Sequence, residues 1–199
     1  YLLNKNCKII VVACNTATTN AIKELRAKYD IPFIGIEPAI KPAATHSQTQ
    51  KIGILATKGT LNSELFYKNV EKFQDIEIIE QIGYGLVELI ENGEINSPEM
   101  KKLLRSYLDP MVKQNIDYLV LGCSHYPYLI PLIKKIIPHH IKIIDSGEAV
   151  ARQTKNILNE KVGFRTQKTK SEQLFYTNSN PMVLSSILNN KYTVLVEDF

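Results

Sequence analysis

Cys14 and Cys123 are the residues whose surroundings best suit them to chemistry. Each closes an apolar run of β type and opens a polar turn: Val11-Val12-Ala13-Cys14-Asn15-Thr16 and Val120-Leu121-Gly122-Cys123-Ser124-His125. At 109 positions apart (14 to 123) they are no short-spaced metal or redox pair. They read as one structural unit used twice, with a thiol at the active end of each copy. A cysteine at a helix N-terminus has its thiolate stabilised by the helix dipole and by unpaired backbone N–H groups. The same N–H groups bind anions such as a carboxylate. Two thiols facing each other across a cleft suit one reaction: one takes a proton from a carbon and the other returns a proton to the opposite face. That inverts a stereocentre. Taken singly, each cysteine reads equally well as a small buried hydrophobe. The polar residues that follow both, where a core would continue apolar, favour chemistry.

The remaining candidates are weighed the same way. His125, two residues after Cys123, lacks a second Cys or His at zinc-ligand spacing. A lone histidine often satisfies a local hydrogen bond, but beside a thiol it relays protons or stabilises the thiolate, the role favoured here. Thr57 and Thr60 flank Lys58-Gly59 just after an apolar run and read either as a turn with a helix cap or as ligand contacts. The spaced glycines of a P-loop are absent there, and Gly83 and Gly85 form no GxGxxG motif. Glu88 and Glu91 share a helical face and look solvated. Cys7, between Asn6 and Lys8, reads as structural, and His46, His139 and His140 as surface residues.

The elements that must position these side chains follow from periodicity. Short apolar runs rich in β-branched residues alternate with longer amphipathic ones, the pattern of an α/β protein with mainly parallel strands. Strands are predicted at 8–13, 33–36, 51–56, 77–82, 118–121, 141–144, 173–176 and 193–196. Helices are predicted at 18–29, 61–73, 86–91, 98–114, 127–137, 148–158 and 181–188. Ser97 before Pro98, and Asn180 before Pro181, are helix starts in which a capping side chain precedes a proline whose missing N–H costs nothing. Both cysteines then fall at carboxyl ends of strands, where open parallel sheets handle ligands. The 37–50 stretch, with two prolines and small polar residues, reads as a linker into a second domain, and the chain returns near 145–147. The expected architecture is two similar three-layer α/β domains related by pseudo-symmetry, with the site in the cleft between them. One comprises 1–38 with 146–199, the other 39–145.

Composition narrows the class. A net charge of +4, with 24 Lys and Arg interspersed among 20 Asp and Glu, argues against a nucleic-acid surface. The densest basic stretch, 165–170, is short and rich in Thr and Gln, so it reads as a solvated loop. No apolar run reaches the roughly 20 residues of a membrane span. Three cysteines, an odd number, suggest reduced thiols in the cytoplasm. The chain begins at Tyr1 with what reads as the last turn of a helix, so an N-terminal part is expected to be missing.

At Ala13-Cys14-Asn15-Thr16-Ala17 and Gly122-Cys123-Ser124-His125-Tyr126-Pro127 the sequence resembles the glutamate racemases of the aspartate/glutamate racemase superfamily. The resemblance covers essentially the whole chain, including Ala56-Thr57-Lys58-Gly59-Thr60 and Leu89-Ile90-Glu91-Asn92-Gly93. Ser124 stands where the family usually has Thr. His125 matches glutamate rather than aspartate racemases, which tend to carry an acidic residue there. The resemblance implies a cofactor-free, metal-free enzyme with two bases. Cys14 takes the α-proton of D-glutamate while Cys123 protonates the other face, and the roles reverse for L-glutamate. Asn15, Thr16, Ser124 and His125 bind the amino acid, with Thr57 and Thr60 as further contacts and Glu91 assisting the histidine. It implies supply of D-glutamate for bacterial peptidoglycan, and it allows a homodimer. The family's Asp-Ser-Gly and Pro-Tyr-Gly segments would precede Tyr1; Asp145-Ser146-Gly147 looks like a second copy of the former, with no catalytic role transferred. A racemase of aspartate or another amino acid, a module that only binds an acidic ligand, and a single-cysteine hydrolase or transferase are the rival readings.

Overall fold

The computed structural model describes residues 1–163 and 172–199, so the basic 165–170 stretch lies outside the described residues. Its largest sheet is built from the most apolar runs. Strands β3 (Lys51–Ala56), β4 (Glu77–Ile82), β5 (Tyr118–Gly122) and β6 (Lys142–Ile144) pair in parallel in the order β4-β3-β5-β6. Successive side chains in a strand point to opposite faces, and the two inner strands are apolar on both. Ile52, Ile54, Ala56, Tyr118 and Val120 enter one core, with Ile40, Ala43, Leu61 and Phe66. Leu55, Leu119 and Leu121 enter the other, with Leu86, Met100, Leu104, Leu108 and Tyr126. Burial on both faces explains why these strands read as continuous apolar runs rather than alternating ones.

The helices on those faces follow from their sequences. Helix α6 (Pro98–Lys113) starts where Ser97 accepts the Met100 N–H at 3.0 Å, with Pro98 in its first turn. It buries Met100, Leu104, Leu108 and Met111 along one stripe. Together with α5 (Leu86–Glu91) it covers one face. The other face carries α2 (Ile40–His46), α3 (Lys58–Leu61) and α4 (Glu64–Val70). Connections leave β3 and β5 toward opposite faces, so the gap between these two strands is the sheet's topological switch point.

A second, two-stranded parallel sheet pairs β1 (Ile10–Val12) with β2 (Phe33–Gly35) around α1 (Asn15–Lys28). The Thr18 hydroxyl donates to Val12 O at 3.0 Å and accepts the Ile36 N–H at 3.0 Å, locking the start of α1 to both strands. Helix α8 (Gly147–Ile157) packs back onto β2. The two chain crossings between the sheets are tied together, because the Ser146 hydroxyl donates to Glu37 O. Strands β7 (Phe175–Thr177) and β8 (Val194–Val196) form a third parallel pair joined through α9 (Pro181–Ile187). The first residues close as a helix C-terminal motif, as expected. The Cys7 N–H donates to Leu2 O, the Asn6 N–H donates to Leu3 O, and Asn6 takes φ 56°.

Three predicted segments differ. The 37–50 linker contains α2, held by burial of Ile40, Ala43 and Ala44 rather than by a capping side chain. The 61–73 helix is split into α3 and α4 because Ser63 turns to cap: its hydroxyl donates to Thr60 O and accepts the Phe66 N–H. The 127–137 helix is a 3-10 turn (Tyr126–Leu129) followed by a short α7 (Ile130–Ile133). Pro131 lacks the N–H that an α-helix would direct to Pro127 O, and its ring crowds that carbonyl.

Candidate active site

Strands β3 and β5 end in register, with Ala56 opposite Gly122. Thr57 and Cys123 therefore leave the sheet side by side at the switch point. A Cβ on Gly122 would sit 2.7 Å from that of Ala56, so glycine is required for the two strand ends to lie this close. The facing side comes from β1, which delivers Cys14 to the first turn of α1.

Cys14 is the N-cap of α1, in extended conformation (φ −133°, ψ 121°), and its sulfur accepts the Ala17 N–H at 3.5 Å. It is exposed, whereas Cys123 is buried. The sequence predicts a helix N-terminus for both thiols, but Cys123 precedes a 3-10 turn, and burial pushes its thiol up. The Cys14 charge pushes it further, while the His125 and Tyr126 N–H groups pull it back; the net direction is up. The strand ends that carry the two thiols are joined where Thr16, two residues after Cys14, meets Thr57 beside Cys123 at 2.7 Å, and burial favours the protonated form of Cys123.

His125 stands beside it. Its Nδ1 is 3.8 Å from the Cys123 sulfur, and its Nε2 is 2.9 Å from Glu91 Oε1. A carboxylate only accepts, so Nε2 carries a proton, and in the neutral ring Nδ1 is the acceptor that faces the sulfur. Glu91 is the last residue of α5, where the helix dipole disfavours a negative charge. The imidazole N–H offsets that cost.

Between the first turn of α1 and the end of β3 three hydroxyls form a ring. Thr16 Oγ1 lies 2.7 Å from Thr57 Oγ1 and 3.1 Å from Thr60 Oγ1, and the latter two are 3.0 Å apart. Asn15 is 3% exposed, and among the described residues its Nδ2 is the buried side-chain polar atom that lacks a partner. Leaving such a donor unpaired costs about 1–3 kcal/mol, so it is a donor waiting for an acceptor. Ser124 is half-buried in the turn between Cys123 and His125. Neither Asn15 nor Ser124 joins the two hydrogen-bonded groups.

No group of three or more His, Cys, Asp or Glu able to hold a metal occurs among the described residues. A cavity of about 970 Å³ lies at the far end of α1, lined by Cys7, Arg26, Tyr29, Phe33 and Ile157. It contains neither Cys14 nor Cys123, and its Arg26 is already spent on Phe33 O. Volume is therefore not the guide to this site; the paired chemistry is. Sequence reasoning missed Asn20 and Gly59, which touch across 39 positions (Asn20 Nδ2 to Gly59 O, 3.1 Å). Nothing local in the sequence announces that contact.

The family model described as Asp/Glu/Hydantoin racemase matches residues 1–154. The glutamate racemase of Pseudomonas entomophila is 42% identical over 190 residues, which cover 94% of this chain and 71% of that protein. The glutamate racemase of Ralstonia pickettii is 47% identical over 153 residues, covering 76% of this chain and 54% of that protein. The crystal structure of Escherichia coli glutamate racemase in complex with L-glutamate and the activator UDP-MurNAc-Ala superposes with a TM-score of 0.81. Its sequence identity is 29%, and the match covers 98% of this chain and 76% of that one.

Proposed function

The chain belongs to the Asp/Glu/Hydantoin racemase family, and from that premise we propose that it interconverts L- and D-glutamate with two thiols and no cofactor. The observation that supports the reading is that the strand ends bearing Cys14 and Cys123 are brought together, with Thr16, two residues after Cys14, 2.7 Å from Thr57, which leaves the sheet beside Cys123. The Cys14 thiolate, at the start of α1, takes the α-proton of D-glutamate. The Cys123 thiol, kept protonated by burial, donates to the opposite face. In the reverse direction Cys123 is the base. His125 accepts its proton at Nδ1, and Glu91 stabilises the imidazolium that results. A thiolate this costly to form is correspondingly basic, which suits a weakly acidic α-carbon.

Substrate carboxylates are bound by donors already in place. Asn15 Nδ2 is unpaired, and the ring of Thr16, Thr57 and Thr60 holds three hydroxyl protons that can turn to a carboxylate. Ser124 and His125 line the same turn. Donors that need no reorganisation stabilise developing carbanion charge best where water is excluded. The two domains of the proposal are 1–38 with 146–199, and 39–145, with the thiols facing across their boundary. D-glutamate for peptidoglycan is the proposed product and the cytoplasm the proposed site of action. The odd number of cysteines, three, supports that compartment. Family resemblance alone supports a homodimer.

The test is racemisation of glutamate followed by circular dichroism, with L-aspartate run beside it to separate the runner-up specificity. Cys14→Ser and Cys123→Ser should each slow the reaction by a factor of about 10²–10⁴. A wild-type rate in either variant would rule out two-thiol chemistry.

A further inference from the structure

We propose that Asn20 and Gly59 are positioning residues: together they latch α1 onto the start of α3 and so set the spacing between the two thiols. The proposal rests on the two-thiol reading above. Asn20 lies in the second turn of α1, the helix that Cys14 caps. Its Nδ2 donates to Thr16 O at 2.8 Å within its own helix and to Gly59 O at 3.1 Å across the cleft. Gly59 follows β3, whose last residue is paired with Gly122, the neighbour of Cys123. One contact therefore joins the element that carries Cys14 to the strand pair that carries Cys123.

The contact is also tight. A Cβ built on Gly59 would lie 2.6 Å from Thr16 Cγ2. Carbon atoms pack at about 3.5 Å, so a methyl there drives α1 and α3 roughly 0.9 Å apart. Thr16 is β-branched and stiff about χ1, and turning it aside breaks the hydroxyl ring with Thr57 and Thr60. Behind the latch, Thr18 fixes α1 to β1 and β2, so the displacement passes to Cys14 instead of being absorbed. Two bases acting on opposite faces of one carbon do not tolerate such a shift: about 1 Å of misplacement costs on the order of 10²-fold. Asn20 is exposed, so its hydrogen bond adds little to folding. Spacing is what it contributes.

The experiment uses the whole protein in a Cys7→Ala background and reads two signals. One is bridging of Cys14 to Cys123 by dibromobimane, which fluoresces once it has joined two thiols. The other is kcat and KM for glutamate. Gly59→Ala should slow bridging and lower kcat by about tenfold to a hundredfold, with KM moving less. Adding Thr16→Ser removes the methyl that the new Cβ strikes and keeps the hydroxyl, so Gly59→Ala/Thr16→Ser should bridge faster than Gly59→Ala. Asn20→Asp, isosteric but turning an acceptor toward two carbonyls, should slow both signals without lowering the melting temperature. Unchanged bridging in Gly59→Ala, or a double variant no better than the single one, overturns the latch. A parent that bridges and responds as predicted but does not racemise glutamate sinks the functional reading and leaves the latch standing. A parent that never bridges sinks both.

Discussion

Replacing Glu91 tests whether the carboxylate, imidazole and thiol act as one chain. Glu91 Oε1 is 2.9 Å from His125 Nε2, with the two side chains 51% and 30% exposed. A fully exposed ion pair contributes about 0–1 kcal/mol, and a hydrogen bond to a charged group about 1.5–3 kcal/mol. A half-exposed carboxylate falls between them, at about 1 kcal/mol, which corresponds to roughly a fivefold change in rate. Glu91→Ala should therefore lower kcat/KM about fivefold. Glu91→Gln, which keeps an accepting oxygen and loses only the charge, should lower it about twofold. The two enantiomers have equal free energy in water, so kcat/KM must fall by the same factor in both directions. The discriminating assay is a double-mutant cycle on initial rates followed by circular dichroism. His125→Asn should cost more than Glu91→Ala. In the His125→Asn background, Glu91→Ala should cost nothing further, because its only route to the sulfur is gone. Additive losses, or an unchanged rate in Glu91→Ala, would refute the relay.

Three further outcomes follow from the same geometry. Removing the Cys14 charge in Cys14→Ala takes away one of the effects that raise Cys123, so the pH midpoint for alkylating Cys123 with iodoacetamide should move down; no movement would mean that the thiols do not interact. Burial pushes the Asp117 carboxyl up, but hydrogen bonds from Ser47, Gln48 and Thr49 outweigh it and hold the group below the usual carboxylate value of 3.8. A lowered folded value means stability present above the unfolded value and lost as pH falls through the folded one; urea midpoints of wild type and Asp117→Asn should differ at neutral pH, by about 1 kcal/mol for this half-buried group, and converge in acid below that value. Tyr126→Phe deletes the hydrogen bond from its hydroxyl to Gly83 O and leaves a buried carbonyl unpaired, costing about 1–2 kcal/mol in urea unfolding.

Much of this was legible because the signals were local. Lys51–Ala56 and Glu77–Ile82 end where the apolar runs end, and Ser97-Pro98 fixes the start of α6 by capping chemistry alone. Duplication made the two cysteines readable as a pair, and Thr57 and Thr60 were flagged by position. What escaped was set by packing. Helix α2 looks like a linker because its helical state depends on burying Ile40, Ala43 and Ala44 against a sheet that comes later in the chain. Pro131 breaks a stripe of apolar residues whose period still reads as one helix. The protonated state of Cys123 reverses the expectation from a helix N-terminus, because burial, which sequence does not display, outweighs the few N–H groups of a 3-10 turn. The meeting of Asn20 with Gly59 depends on how two separate units dock.

The central claim, two bases on opposite faces of one α-carbon, is met most directly by the fate of hydrogen at that carbon during the first turnovers in heavy water. Starting from unlabelled D-glutamate, the L-glutamate formed should carry deuterium while the remaining D-glutamate stays unlabelled, and the mirror result should hold from L-glutamate. Deuterium appearing equally in both pools would mean a single base serving both faces, and L-glutamate formed without deuterium would mean that one base returns the hydrogen it removed; either result contradicts two bases on opposite faces.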